Sequence, residues 1–221
     1  MDQPAILLLE DGTLFYGRAA GKPGTTTGEI CFTTGMTGYQ EVFTDPSFYG
    51  QILVTTNVHI GNYGTKHEEN ESHHMQIAGL VCKDFTNQFS RVKADDSIQE
   101  YFENENRTCI YGVDTRAIVR HIRDKGAMNA IISSEIMDVD ILKNMLDQVP
   151  SMAGLELASK VSTKMAYEKK PENPVYKIAA FDFGIKQNIV DCLVERGCHV
   201  KVYPATTSSS DILEFDPDGI F

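Results

Sequence analysis

Residues 35–64 read GMTGYQEVFTDPSFYGQILVTTNVHIGNYG. Gly35, Gly38, Gly50, Gly61 and Gly64 surround a single short apolar run, residues 51–58. Glycines at that density mark sharp turns and close backbone approaches. The apolar run has the length and residue types of a strand. Between them stands Asp45-Pro46-Ser47. Pro46 presets φ for a turn, and the Asp45 carboxylate can accept from the backbone two residues on. Ser47 is then a small hydroxyl on a stiff corner. From its residues alone the stretch is a glycine-rich turn region between two strands.

Outward from this stretch, strands are expected at 5–10 and 13–18. They flank Asp11-Gly12, a strong hairpin link. Further strands are expected at 29–34, 51–58, 77–85, 108–113 and 129–134. The polar loop 65–76, TKHEENESHHMQ, carries His67, His73 and His74 among glutamates. A metal site and a solvated loop are both open there, and the solvated loop is preferred because nothing fixes a coordination spacing. Asp95 is expected to cap a helix with Ile98, Tyr101 and Phe102 on one face. Asp114 or Thr115 caps another, carrying Ile118, Val119 and Ile122 and ended by Gly126. Its Arg116, Arg120 and Arg123 form an anion site or a solvated basic face, the latter preferred. A last amphipathic helix runs over 139–149. Strands outnumber helices, so residues 1–158 read as an α+β domain with a mostly β core.

Residues 159–175 are polar, basic and proline-bearing, and are expected to be a linker. After them come an apolar strand (176–181), a turn at Asp182-Phe183-Gly184, a helical pattern to Gly197, a strand (199–203), a short helix capped near Ser208, and a third strand from Gly219. This βαβαβ order predicts a parallel sheet over 176–221, and an α/β class overall. A parallel sheet so small leaves its faces uncovered, so the sequence is expected to be part of a longer protein.

The chain has 221 residues and a net charge of −11, with no basic stripe, which argues against a nucleic-acid partner. No window approaches a membrane span, and the N-terminus lacks the pattern of a signal peptide, so a cytoplasmic location is expected. The five cysteines form no C-x-x-C pair and are expected to be buried, reduced thiols.

Several blocks resemble one family in order along the chain. LLLEDGTLFYGRAAG (7–21), GMTGYQEVFTDPSF with HIGNYG (35–64), GVDTRAIVRHIRDKGAM (112–128), KIAAFDFGIKQNIVDCLVERGCHV (177–200) and PDGIF (217–221) are similar to the small, glutamine-using chain of carbamoyl-phosphate synthase. The sequence departs from that pattern at Gly35 (usually Ser), Phe48 (usually Tyr) and Val58 (usually Pro).

The resemblance implies a small-chain N-terminal domain followed by the start of a class I glutamine amidotransferase domain. It implies that Ser47 touches the substrate L-glutamine. The family hydrolyses glutamine with a Cys-His-Glu set, whose cysteine sits on a strand-to-helix elbow. Neither Cys192 nor Cys198 has that context, so no catalytic residue is assigned in this chain, and these 221 residues alone are expected to be inactive. The implied partner is a large chain that receives ammonia through a tunnel and carries ATP, Mg (or Mn) and K. The implied product, carbamoyl phosphate, feeds arginine and pyrimidine synthesis.

Two other readings stay open, a non-catalytic docking module and a Rossmann-like nucleotide binder. The second wants G-x-G-x-x-G at the Asp182 turn, where only Gly184 is present. Asp182-Phe183-Gly184 also occurs in protein kinases, but the other kinase motifs are missing.

Overall fold

The computed structural model describes residues 3–221, so Met1 and Asp2 of the N-terminal reading lie outside it. The chain divides into two compact units. The first runs to Thr44 and continues through Phe48–Asn70 and His74–Leu155. The second is Asp45–Ser47, Glu71–His73 and Glu156–Phe221.

The first unit contains, in chain order, β1 (Pro4–Leu9), β2 (Leu14–Gly21), β3 (Thr25–Thr33), α1 (Tyr39–Thr44), β4 (Ile52–Thr55), β5 (His59–Ile60), β6 (Gly79–Cys82), β7 (Asp84–Phe85), α2 (Ile98–Asn104), β8 (Thr108–Tyr111), α3 (Thr115–Lys125), β9 (Asn129–Ser133) and α4 (Val139–Leu146). Seven of the strands close into a barrel in the order β1-β2-β8-β6-β4-β3-β9. β3, β4, β6 and β8 run parallel, and the other pairs, including the closing pair of β1 with β9, are antiparallel.

Side-chain alternation explains the layers. Leu7 and Leu9 of β1 join Ile52, Val54, Ile110 and Ile132 in an inner cluster, together with Ile118 and Ile122 of α3. Ile6 and Leu8 point the other way, onto Leu142 and Leu146 of α4. Both faces of β1 are buried, so it reads as an unbroken apolar run rather than an alternating one. A third cluster packs Leu53, Leu80 and Cys109 against Phe43 of α1 and Phe102 of α2. Phe43 and Phe102 meet edge to face, with centroids 5.5 Å apart.

The expected single strand over 77–85 is two strands in different sheets, since β6 lies in the barrel and β7 pairs with β5. The chain that pairs with β7 turns at Gly61, where φ is +97° and a Cβ would fall 2.2 Å from the Thr86 carbonyl oxygen. The cap of α2 is Ser97, not Asp95. Ser97 and Glu100 form a reciprocal capping box, and the Asp95 carboxylate accepts from His67 N instead. Asp114 caps α3 as expected, by accepting from Ala117 N at 2.9 Å, and α3 ends at Gly126.

The second unit contains α5 (Ala158–Val161), β10 (Tyr167–Lys169), β11 (Tyr176–Asp182), α6 (Gln187–Glu195), β12 (Cys198–Pro204), α7 (Ser209–Leu213) and β13 (Gly219–Ile220). Its sheet has the order β10-β12-β11-β13. β11 is parallel to both β12 and β13, while β10 is antiparallel to β12. Residues 159–175, read above as a linker, therefore contain helix and strand. Ala180, Val200 and Val202 pack on Val190 of α6, and Ala179 and Tyr203 pack on Ile212 of α7. Successive residues of β11 feed opposite clusters, so the two helices cover opposite faces of the sheet. The whole is a mixed α/β molecule with a strand-rich core.

Candidate functional site

The Asp45-Pro46-Ser47 corner belongs to the second unit. Its geometry is what the residues dictate. Ser47 N donates to Asp45 Oδ1 at 2.9 Å, closing the turn that Pro46 presets. Asp45 is only 6 % exposed, while Ser47 is exposed. The Ser47 hydroxyl bonds no other group among the described residues, so it is free to take a ligand.

The second oxygen of Asp45 is also committed. Lys186 Nζ lies 2.7 Å from Asp45 Oδ2. Lys186 stands just before α6, at the end of the turn that leaves β11. That turn is built by Asp182, whose Oδ1 accepts from Gly184 N and Ile185 N at 2.9 Å each. Its Oδ2 accepts from Thr163 N at 2.7 Å. Gly184 has φ +103°, and a Cβ there would meet Pro46 Cβ at 3.1 Å and Val161 Cγ2 at 3.0 Å. A side chain at this position would press on the proline of the Ser47 corner.

The N-terminus of α6 has no cap from its own sequence. Glu71 supplies one from the 65–76 loop. Its carbonyl oxygen accepts from Gln187 N and its Oε2 accepts from Asn188 N, both at 2.9 Å. A carboxylate there suits the positive end of the helix dipole. It also occupies the amides that a nucleotide phosphate would need, and Asp182 spends both oxygens on its own turn and Thr163. The Rossmann-like reading therefore finds its anion cradle already filled.

A family sequence model described as "Carbamoyl-phosphate synthase small chain, CPSase domain" matches residues 7–132, more than half of the chain. The chain belongs to this family. Among its relatives, the carbamoyl phosphate synthase small chain of Thermosynechococcus vestitus is 44% identical over 236 aligned residues, covering 100% of this chain and 62% of that protein. The Synechocystis sp. small chain is 42% identical, over 99% of this chain and 61% of that protein. The Yersinia pseudotuberculosis small chain is 40% identical, over 100% of this chain and 61% of that protein. The chain thus spans about three-fifths of the length of the curated relatives it matches.

Thioester chemistry on a cysteine would need a thiolate beside a base. All five cysteines are free thiols. Burial pushes the Cys31 thiol up to about 12, with Glu29 adding to the shift. Burial also raises Cys109 well above the usual thiol range, and its Sγ lies 3.8 Å from that of Cys82. Cys192 lies inside α6 and Cys198 opens β12, so neither stands on a strand-to-helix elbow. Among the described residues no cysteine is hydrogen-bonded to a histidine.

The histidines of the polar loop are spread among separate partners, His67 near Asp96 and His74 near Glu105. No group of three metal-ligating side chains occurs among the described residues. Arg116, Arg120 and Arg123 are exposed on α3, opposite its buried Ile118 and Ile122.

The structure therefore ties the Asp45–Ser47 corner to Lys186 through Asp45, and ties Glu71 to the start of the helix that Lys186 precedes; sequence reasoning passed over both residues. Nothing in their local spacing signals those roles. Each meets its partner across more than a hundred positions of chain.

Proposed function

We propose that this chain is the N-terminal part of the small chain of a glutamine-hydrolysing carbamoyl-phosphate synthase. The complete small chain releases ammonia from L-glutamine and passes it to a large chain, its heterodimer partner. The large chain binds ATP, Mg (or Mn) and K and makes carbamoyl phosphate for arginine and pyrimidine synthesis. One observation carries the reading. Alignments at 40–44% overall identity to proteins named carbamoyl phosphate synthase small chain cover 99–100% of the chain, and so extend over both units and not only the barrel.

In this reading residues 1–158 are the family's N-terminal domain and 176–221 open a class I glutamine amidotransferase domain, to whose sheet β10 of the preceding stretch adds a strand. The β11-α6-β12-α7-β13 order and its parallel register support that assignment. The nucleophile and its base belong to the remaining two-fifths of the relatives' length, and residues 1–221 alone release no ammonia. The location is the cytoplasm. Among the described residues no helix is long and apolar enough to cross a membrane.

Ser47 donates its free hydroxyl to the carboxylate of bound glutamine. Its exposure and its stiff Asx-Pro turn support this role, because a preset hydroxyl loses little freedom on binding. In the complete protein with its large chain, Ser47→Ala is expected to raise the KM for glutamine about tenfold, the worth of one hydrogen bond to a charged group. The thermal midpoint is expected to hold, since Ser47 is exposed and its hydroxyl bonds nothing in the chain. Unchanged glutamine kinetics would remove Ser47 from the site.

A further inference from the structure

We propose that Asp45 is a positioning residue of the glutamine site, acting through Ser47; the proposal rests on the glutamine reading above. Asp45 is a buried carboxylate whose two oxygens hold two different things. Oδ1 takes the Ser47 amide at 2.9 Å and Oδ2 takes the Lys186 ammonium at 2.7 Å.

Each hold has a separate consequence. The bond to Ser47 N closes the turn and fixes the direction in which the Ser47 Cα–Cβ bond leaves the backbone. Pro46 removes the φ freedom between the two residues. Ser47 is left with its χ1 rotation alone. The ion pair to Lys186 keeps the carboxylate from rotating about its χ2, which would otherwise exchange or break the bond to Ser47 N. Behind the corner, Pro46 is backed by Gly184, so the proline cannot retreat without displacing the turn that leaves β11. The hydroxyl is thus braced by a buried acid, a proline and a lysine from a distant turn. Placement of this kind matters because a displacement of about 1 Å at a substrate-positioning group can cost about a hundredfold in rate.

A stabilising ion pair with no part in the site would show itself differently. Its loss would lower stability and leave glutamine KM alone. The test is a double-mutant cycle in the complete small chain bound to its large chain, with glutamine KM, kcat and thermal midpoint measured for Ser47→Ala, Asp45→Ala and Asp45→Ala/Ser47→Ala. Asp45→Ala is expected to raise KM several-fold. In the Ser47→Ala background the same change is expected to add nothing, because the group it positions is gone.

If Asp45→Ala does not fold, Lys186→Gln removes only the outer hold. It is expected to raise KM by a smaller factor that also vanishes in the Ser47→Ala background. Effects that multiply across the cycle would overturn the proposal, as would a KM that responds to Ser47→Ala but to neither Asp45→Ala nor Lys186→Gln. If Ser47→Ala itself changes nothing, the glutamine reading fails first, and the proposal goes with it. The single Ser47 variant therefore tells the two failures apart.

Discussion

At the scale of single residues, Glu71 shows how a side chain's meaning depends on a partner that the local sequence does not name. It lies among the histidines and glutamates of residues 65–76, which read as a solvated loop in preference to a metal site. In the fold its carboxylate caps α6 through Asn188 N. Lys186, the residue at the cap position, caps no amide of the helix, its ammonium being paired with Asp45 instead. Removing an N-terminal cap costs about 1 kcal/mol, which is about a fivefold change in a local opening equilibrium. Glu71→Ala is therefore expected to speed hydrogen exchange at the Asn188 amide about fivefold. An unchanged rate would show that water replaces the carboxylate without loss.

Ser47 and Asp45 were legible in the sequence because an Asp-Pro-Ser turn is a local object, written in three adjacent residues. Lys186 and Glu71 were not, because a contact across more than a hundred positions leaves no periodic trace.

At the scale of elements, the sequence was most informative where one rule acted alone. The β1-β2 hairpin around Asp11-Gly12, the helix after Asp114 and the parallel pairing of β11 with β12 and β13 all follow from local patterns that nothing contests. It was least informative where two rules competed. Asp95 and Ser97 are both good caps, and the Glu100 three residues after Ser97 decides between them by completing the capping box. The run at 77–85 changes sheet at Lys83, where the polar pair Lys83-Asp84 interrupts it, a break that a single-strand reading passes over.

β10 is the clearest miss, since its short polar stretch reads as linker. It is held at its middle by charge. Glu168 Oε2 lies 2.9 Å from His199 Nε2 and its Oε1 lies 3.3 Å from Lys201 Nζ, both on β12. The hydrogen bond from His199, and then those with Lys201, hold the Glu168 carboxyl below its ordinary value. A depressed carboxyl stabilises the fold above its unfolded pKa of about 4.3, and that contribution is lost as the pH falls through the lower folded value. The pair is half exposed, so its effect is local rather than global. Amide exchange in β10 is expected to accelerate, beyond the intrinsic trend, as the pH falls below about 4.3, and Glu168→Gln is expected to abolish that acceleration. An identical acid profile in the variant would assign the loss to another carboxylate.

At the scale of the whole molecule, the two units differ in how completely each satisfies itself. The barrel closes through β1 and β9, so none of its seven strands is an edge. Its three apolar clusters are drawn from within residues 5–149, with helices over two outer faces and α3 contributing to the interior. The second unit is an open four-stranded sheet. β13 pairs at only two positions, and Ile220 and Phe221 are more than half exposed.

A closed, self-contained core predicts independent folding, because the buried apolar area that offsets chain entropy lies within one stretch of sequence. Residues 1–155 expressed alone are therefore expected to unfold in one cooperative transition. The amides of Leu7, Ile52 and Ile131 should keep the exchange protection they have in the longer chain. In the 221-residue chain the sheet of the second unit should open first, with β13 amides exchanging well before those of the barrel. Broad, non-cooperative melting of residues 1–155 would mean that the barrel draws stability from residues 156–221. The small-chain family would then carry a folding dependence between its domains that the closed sheet does not suggest.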